Sequence, residues 1–310
     1  MLKTRRDILH RWEGNPAITV ENVPFRGNTV FNGSPIVTDK GINLLMQVQG
    51  QQGYSFFAMA RSKDGFRFKV DDAPVMLPAK EGPFAMYEKN GIEDPRITML
   101  EGVCYVMYTA VGDYGKRLAL AKTEDRVNYE RIAMISEPGN SNGILFPKKI
   151  DGRYGRLDSP SGNGRGGIWI SYSPDLIKWG DSRPVLSPRR GGWDEHRVGA
   201  SACPIETEQG WLLIYHGTKM TPSGEVHRNG VALLENENPS RVIKRGETPI
   251  LSPKTEYERI GDVINVCNIC GAVVSENGKM KIYYGAADSS ICIGTCHIDN
   301  ILEEGFLHLP

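Results

Sequence analysis

No sign of charge predominates in this chain of 310 residues, because 37 Lys and Arg side chains balance 37 Asp and Glu side chains. A formal net charge of zero argues against recognition of nucleic acid or of an anionic membrane by bulk charge. The sequence also lacks an apolar run approaching the roughly 18–20 residues of a membrane span. Its first residues lead into no apolar segment typical of a secretory signal, so we expect a cytoplasmic protein with neither a nucleic-acid nor a membrane partner.

Cysteine is scarce as well, with six residues that mostly stand in apolar, strand-like runs. Cys267 and Cys270 form a C-x-x-C pair, but no second pair accompanies it to complete a zinc site. No other set of ligands has convincing metal spacing. We therefore expect reduced, buried cysteines and no metal.

Helical periodicity is nearly absent, and short runs of β-favouring residues recur instead, bounded by Gly, Asn, Asp or Pro. Several runs end in a similar polar hairpin, at residues 60–66, 121–125 and 171–179. The hairpins return roughly every 50–60 residues, which is typical of a propeller built from four-stranded blades. The length then predicts an all-β protein folded as a five-bladed β-propeller. No change in composition divides it, so we expect one domain over residues 1–310.

The most informative stretch is residues 91–96, where Glu93, Asp94 and Arg96 surround Pro95 just before a strand-like run. Proline fixes its own φ and keeps the preceding residue out of the helical region, so we expect Asp94 to be extended at a strand entrance. A carboxylate on a rigid strand end can act as an acid or base, and a neighbouring Arg can tune it or bind substrate oxygens. Taken alone, these residues would also fit a turn with a surface ion pair.

Further polar groups stand at the ends of other strand-like runs. The inner strands of a propeller converge on a central channel, so such groups can meet there although they are far apart in sequence. Carboxylates, Arg and His together suit a polyhydroxylated ligand, whose hydroxyls need many directed hydrogen bonds. Each candidate would also fit a turn or a blade edge. They are Asn32, Arg61, Glu93, Asp94, Arg96, Asp113, Asp158, Glu195, His196, Arg197, His216, Glu225, His227 and Asp288, with Tyr87, Tyr114 and Trp193 as aromatic partners or core residues.

Eight short motifs follow one another from about residue 20 to residue 300. They are VFN (30–32), RSKDG (61–65), EDPR (93–96), NGILFPKKI (142–150), IWISYSPD (168–175), RVGA (197–200), GWLLIYHG (210–217) and YGAAD (284–288). In this order they resemble glycoside hydrolase family 130, the mannoside phosphorylases and related mannosidases with a five-bladed β-propeller. The resemblance implies that Asp94 is the catalytic acid of an inverting reaction and delivers its proton through a sugar hydroxyl.

The same resemblance implies that Asn32, Arg61 and Asp288 hold the mannosyl unit, and Glu93 and Arg96 join them as candidates for substrate binding. The phosphate side departs from the family pattern. Positions where the resemblance expects two arginines and a tyrosine hold Ser141, Ser159 and His227, an expected lysine is Arg197, and His216 is retained. Arg156 and Arg165 lie nearby in sequence and could compensate.

The loss of two positive charges favours water over phosphate as the nucleophile. A phosphate dianion in a partly desolvated pocket needs several charge-assisted donors, whereas water needs a carboxylate base. In inverting hydrolases the base stands roughly 6.5–9.5 Å from the acid. Glu195 and Glu225 are the candidate bases, although either would also fit an exposed loop.

The sequence therefore predicts an inverting exo-β-mannosidase that acts on short β-mannosides, with β-1,2 as the favoured linkage, and needs no cofactor. One alternative is a β-mannoside phosphorylase with inorganic phosphate as co-substrate, which would release mannose 1-phosphate. A second alternative is a sugar-binding propeller without catalysis. The expected partner in each case is a β-mannoside oligosaccharide, and the resemblance leaves a homo-oligomer open.

Overall fold

The computed structural model describes residues 7–161 and 166–307, and most of its regular structure is strand. The all-β class predicted from the sequence is confirmed. The described helices are short: a 3-10 turn at Val20–Asn22, α1 (Ala85–Glu88), α2 (Glu256–Arg259) and α3 (Ile298–Glu304). Within the described ranges, no helix is long and apolar enough to cross a membrane. The six cysteines are free, and four of them are buried.

The strands occur as β1 (His10–Arg11) followed by five consecutive antiparallel groups within the described residues. The first group is β2 (Thr29–Thr38), β3 (Gly41–Gln49), β4 (Ser55–Ser62) and β5 (Lys69–Val70). The second is β6 (Gly91–Leu100), β7 (Val103–Gly112), β8 (Gly115–Thr123) and β9 (Glu130–Met134). The third is β10 (Asn140–Leu145), β11 (Tyr154–Pro160), β12 (Ile168–Ser173) and β13 (Gly180–Leu186). The fourth is β14 (Arg197–Ala200), β15 (Ile205–Thr207), β16 (Gly210–Thr221), β17 (Gly224–Leu234) and β18 (Val242–Arg245), and the fifth is β19 (Cys267–Val274), β20 (Lys279–Ala286) and β21 (Ser290–His297).

Two unusual strand pairings connect the first and last groups to neighbouring strands. β1 pairs with β21, so the start of the chain supplies the fourth strand of the fifth group. The first and second groups form one eight-stranded sheet through a single parallel pair, Ser55 with Gly91. Gly91 has a φ of +122°, and a Cβ at this position would stand 2.7 Å from the backbone nitrogen of Ser55. Only glycine therefore permits this junction.

The polar hairpins recognised in the sequence are turns closed by an aspartate side chain. Oδ1 of Asp64 accepts hydrogen bonds from the backbone amides two and three residues further on, at 2.8 and 2.9 Å. Asp125 and Asp175 repeat this arrangement in the second and third groups. An aspartate that bonds its own following backbone is a strong turn former, which explains why the pattern was visible in the sequence.

The core consists of five buried apolar clusters among the described residues, and each lies between two consecutive strand groups. One of them joins the fifth group to the first, where Tyr283 and Ile291 pack in the same cluster as Leu44 and Met46. The first strand of each group has its polar end directed at a shared central cavity. Residues far apart in sequence therefore come together there.

Candidate active site

A cavity of about 380 Å³ opens where the five strand groups meet. Every group contributes to its wall, although the lining residues are as far apart in sequence as Phe31 and Asp288. Nine residues predicted from the sequence line this cavity: Asn32, Glu93, Asp94, Ser141, Ser159, Arg197, His216, His227 and Asp288. Gln47, Lys116, Asn142, Thr218 and Asn268 also line it, and the sequence analysis did not select them.

The backbone of the inner strands breaks its regular pattern at the cavity. Asn32, Asp94 and Asn142 have φ values of +52°, +54° and +53°, and the strand register shifts beside each of them. Asn and Asp tolerate this left-handed conformation better than other residues with a Cβ. Such a bulge redirects a side chain out of the strand's alternation. The expectation that Asp94 is extended was therefore wrong, because the bulge and not the proline restriction sets its φ.

The shared backbone feature also explains how Asn142 could have been found. Asn32 and Asn142 are each followed by Gly, and Asp94 is followed by Pro. An Asn or Asp before Gly or Pro at the same place in successive repeats indicates a bulge, because these residues interrupt a regular strand. Reading the repeats against one another would have added Asn142 to the candidate residues.

Asp94 is fixed by a network of neutral amides. Nδ2 of Asn32 donates a hydrogen bond to Oδ1 of Asp94 at 2.7 Å, and the backbone amide of Asp94 donates to Oε1 of Gln47 at 2.9 Å. Gln47 in turn donates to Oγ of Ser55, and Asn268 donates to Oδ1 of Asn32 at 3.0 Å. This network holds the carboxyl group in place by neutral hydrogen bonds, and no cation among the described residues donates a hydrogen bond to it, which suits a group that exchanges a proton.

Asp288 is a second carboxyl group on the same cavity wall. Burial raises its pKa to about 6, and the negative charge of Asp94 acts in the same direction. At weakly acidic pH, Asp288 therefore retains its proton and can donate a hydrogen bond to a bound hydroxyl.

Arg96 does not line the cavity. Its side chain is 1% exposed and lies behind Asp94, with Nη2 4.0 Å from Oδ1 of Asp94. Nη1 donates to the carbonyl of Pro95, while Nε and Nη2 have no hydrogen-bond partner among the described residues. This position allows Arg96 to act on Asp94 electrostatically, whereas direct contact with a substrate in the cavity would require movement.

Basic and hydroxyl groups form another part of the cavity lining, called the basic wall below. It comprises Arg197, His216, His227, Lys116 and the hydroxyl groups of Ser141 and Ser159. Lys116 is paired with Glu93 at 2.6 Å. Two expected arginines are absent, but this wall still offers two fixed cations and several neutral donors, which are the groups that bind phosphate oxygens.

His216 is a neutral donor or acceptor in this wall. Burial lowers its pKa to about 3, and the positive charges near it, from His227, Arg96 and Arg197, add to this effect. Nδ1 of His216 lies 3.2 Å from Oγ of Ser201. The ring packs against Gly199, where a Cβ would stand 2.4 Å from Cε1 of His216. Glycine at position 199 is therefore required for the imidazole to reach the cavity.

Glu225 lies behind this wall and connects its basic residues. Its carboxylate binds Arg197 at 2.5 Å, His196 at 2.7 Å and His227 at 3.2 Å. Burial favours the protonated form, but the hydrogen bonds from His227, Arg197 and His196 prevail and lower the pKa of Glu225 below its usual range. A carboxylate held this firmly in its ionised form is a poor acceptor of a proton from water.

Of three further predicted residues, two do not line the cavity and one falls outside the described residues. Glu195 binds the backbone amide of Gly191 at 3.0 Å and Lys219 at 3.3 Å, and it does not line the cavity. Arg61 forms a half-exposed pair with Asp71 at 2.7 Å, also outside the cavity. Arg165 falls outside the described residues. In the parts of the chain that are described, no group of three or more His, Cys, Asp or Glu side chains could hold a metal ion.

Comparison with known proteins decides the family. A family model described as β-1,4-mannooligosaccharide phosphorylase matches residues 3–304. The chain belongs to glycoside hydrolase family 130. The β-1,2-mannobiose phosphorylase of Listeria innocua is 40% identical over 254 residues, which cover 81% of this chain and 68% of that protein. A 1,2-β-oligomannan phosphorylase of Thermoanaerobacter sp. is 38% identical over 245 residues, which cover 78% of each chain.

Solved structures agree with this assignment. A β-1,2-mannobiose phosphorylase from Listeria innocua, in complex with β-1,2-mannobiose, superposes on this family 130 chain with a TM-score of 0.86 and 32% identity. The match covers 96% of this chain and 99% of the other. The resemblance inferred from the motifs is thereby confirmed.

The same comparisons contradict the hydrolase prediction, because the curated relatives are phosphorylases. The prediction gave too much weight to Ser141 and Ser159. It took the loss of two positive charges as favouring water, and it did not count Lys116, which lines the cavity together with Arg197. Neither carboxylate offered as a base lines the cavity: Glu195 is paired with Lys219 and Glu225 with Arg197.

Proposed function

We propose that this protein is an inverting β-mannoside phosphorylase. The observation that carries the proposal is that one cavity holds both a carboxyl group suited to acid catalysis and groups suited to binding an anion. The carboxyl group of Asp94 stands among neutral amides, while Arg197, Lys116 and His227 line the same cavity. An acid and an anion-binding set in one cavity fit a reaction in which phosphate, and not water, attacks the sugar.

The reaction proceeds in one displacement. An oxygen of hydrogen phosphate forms a bond to C1 of the mannosyl unit while the bond from C1 to the leaving oxygen breaks. Asp94 gives its proton to the leaving oxygen through a sugar hydroxyl, and hydrogen phosphate returns a proton to Asp94. Because Asn32 donates to Oδ1 of Asp94, the transferred proton resides on Oδ2. Inversion converts the β-mannoside into α-mannose 1-phosphate.

The binding residues follow from their place in the cavity. Asn32, Gln47, Asn268 and Asp288 form the side that surrounds Asp94, so we assign the mannosyl hydroxyls to them. Arg197, His227 and the hydroxyl groups of Ser141 and Ser159 take the phosphate oxygens. Neutral His216 contributes a hydrogen bond without adding charge.

The proposal also includes the number of blades and of domains in the fold. Five antiparallel groups of four or five strands, when β1 is counted with the fifth group, have apolar clusters between successive groups and between the last and the first. This arrangement supports a single-domain propeller of five blades around the cavity. A cytoplasmic location and assembly into a homo-oligomer remain predictions from the sequence and from the resemblance.

Product analysis tests the proposal directly. The protein is incubated with β-1,2-mannobiose, the linkage suggested by the names of two relatives, and separately with β-1,4-mannobiose, each with and without inorganic phosphate. We expect mannose 1-phosphate to form from the β-1,2 substrate only when phosphate is present. Free mannose released at a rate independent of phosphate would overturn the proposal, and preference for the β-1,4 substrate would overturn the linkage.

A further inference from the structure

A second cavity, of about 410 Å³, lies on the other face of the same strands that border the active site. Ser141 and Ser159 face the central cavity, while their neighbours Asn140 and Asp158 face the second one. Side chains alternate between the two faces of a strand, so β10 and β11 serve both cavities at once. The second cavity occupies the gap between the second and third strand groups.

The floor of this cavity is polar. Buried carboxylate–arginine pairs also occur elsewhere between the strand groups, at Glu88 with Arg131, Asp194 with Arg245 and Glu258 with Arg11, but these carboxylates line neither cavity. Asp158, Arg156, Asn140 and Ser171 are all at least nine-tenths buried. Oδ2 of Asp158 accepts hydrogen bonds from Nε of Arg156 at 2.8 Å and from Nδ2 of Asn140 at 3.2 Å. Within the described residues, the apolar cluster beside this cavity has fewer buried members than any of the other four. The polar groups therefore take the place of core.

Burial of this ion pair is not explained by stability. A buried salt bridge contributes little net free energy of folding, because both ions lose their hydration, and apolar residues of similar volume often do as well. Oδ1 of Asn140, buried in the lining of the cavity, has no hydrogen-bond partner among the described residues. A buried polar atom of this kind is readily explained by a ligand that supplies its hydrogen bond.

Two tryptophans form the side of the cavity. Trp169 is 36% exposed at the rim. Trp179 is held by a hydrogen bond from its Nε1 to the carbonyl of Leu176 and by the guanidinium of Arg156, 4.6 Å from its ring centroid. Flat aromatic faces beside polar groups suit a pyranose ring, whose C–H faces stack on the indoles while its hydroxyls bond at the edge.

The charge of the lining favours a neutral ligand. Arg117 and Arg156 are matched by Glu137 and Asp158, so the cavity offers no excess of either sign. We propose that this second cavity is a carbohydrate-binding site, separate from the active site, that holds a sugar unit of a β-mannoside. The choice of a mannoside rests on the proposed function, whereas the choice of a neutral sugar rests on the cavity itself.

Fluorine NMR of the intact chain tests this site without relying on turnover. The chain has five tryptophans, so incorporation of 5-fluorotryptophan gives five signals, assigned by single Trp→Phe replacements. The Asp94→Asn variant is titrated with β-1,2-mannobiose in the absence of phosphate. We expect saturable shifts of the Trp169 and Trp179 signals, while Trp12 and Trp211, which line neither cavity, stay fixed.

Variants separate the site from general effects. Trp169→Ala should raise the Kd read from the Trp179 signal at least tenfold, whereas Val37→Ala, a matched loss of an exposed apolar side chain, should leave it unchanged. Absence of shifts at Trp169 and Trp179 up to mannobiose concentrations that saturate the central cavity by calorimetry would overturn the proposal. Shifts caused by inorganic phosphate and not by mannobiose would also overturn it.

The two proposals fail in different ways. If wild-type protein forms mannose 1-phosphate but the two tryptophan signals do not respond, the phosphorylase assignment stands and the second site is refuted. If no mannose 1-phosphate forms but the signals respond to mannobiose, the second site is supported and the proposed reaction is refuted.

Discussion

The central cavity and the second cavity share two strands but treat their polar groups in opposite ways. In the second cavity, Asp158 is bound to Arg156, so the charges satisfy each other within the protein. In the central cavity, Asp94 is bound to the neutral amides of Asn32 and Gln47, and its nearest cation, Arg96, stays 4.0 Å away. The carboxyl groups of Asp94 and Asp158 both lie in strands and face a cavity. What distinguishes the one prepared for proton transfer is therefore its hydrogen-bond partners.

This difference also concerns the backbone. Asp94 and Asn142 stand at bulges with left-handed φ, whereas Asp158 pairs regularly with Trp169 across the sheet. Strained residues of this kind often occur at functional sites, because the surrounding structure must hold them. The regular strand at Asp158 suits the proposed binding of a sugar. The bulge at Asp94 turns its carboxyl group towards the proposed position of the reacting atom.

Replacement of the two aspartates should have the largest effect and separates the cavities most clearly. Asp94→Asn keeps the shape but removes the proton, so we expect phosphorolysis of β-1,2-mannobiose to fall by roughly 10³- to 10⁴-fold. Asp158→Asn should leave kcat for this disaccharide within about twofold, because its side chain faces the other cavity. Rates are measured on protein whose folding is checked by circular dichroism.

Equal losses in the two variants would erase the distinction between the cavities. Retention of activity in Asp94→Asn would remove Asp94 from the role of acid.

Two arginines provide the next test. Arg197→Ala removes a charged donor from the basic wall, and a charge-assisted hydrogen bond is worth roughly 1.5–3 kcal/mol. We therefore expect the KM for phosphate to rise about 10- to 100-fold. Arg61→Ala is the matched control, because Arg61 pairs with Asp71 outside the cavity. Its KM for phosphate and for mannobiose should not change, as measured by initial rates over a range of each substrate.

A strong effect of Arg61→Ala on the KM for mannobiose would restore the role implied by the family resemblance. It would also mean that this side chain moves into the cavity when substrate binds.

The sequence revealed those parts of the molecule that depend on local chemistry. The turns closed by Asp64, Asp125 and Asp175 and the motif around Asp94 could be recognised because short-range hydrogen bonding fixes them. Nine of the selected site residues line the cavity, and five of them lie on the first strands of their groups, which converge there. Lys116 and Gln47 were missed because they lie on neighbouring strands, and only the pairing across the sheet brings them to Glu93 and Asp94.

The choice of nucleophile could not be read from the sequence for a related reason. Ser141 and Ser159 are visible as replaced arginines, but the net ability of a wall to bind phosphate depends on every group that reaches it. Glu225 illustrates this point, since its carboxylate is bound to Arg197, His196 and His227 and is held ionised. In the sequence, Glu225 looked like a general base. In the structure, its carboxylate instead binds the basic residues and holds them in place.

A pH-dependent difference in stability should separate the remaining pair of carboxylates, Asp288 and Asp158. Burial raises the pKa of both, but Asp158 has Arg156 as a partner, whereas Asp288 is repelled by Asp94. A folded-state pKa near 6 lies above that of the unfolded chain, so Asp288 lowers stability as pH rises from about 4 to above 6.

Asp288→Asn should therefore be more stable than wild type by about 2 kcal/mol at pH 8 and nearly equal at pH 4, as measured by urea unfolding. Asp158→Asn should instead be less stable than wild type at pH 8, because Arg156 loses its counter-charge. If Asp288→Asn gave the same change at pH 4 and pH 8, the carboxyl group would have to titrate normally in the folded protein, and the two cavities would not differ in this respect.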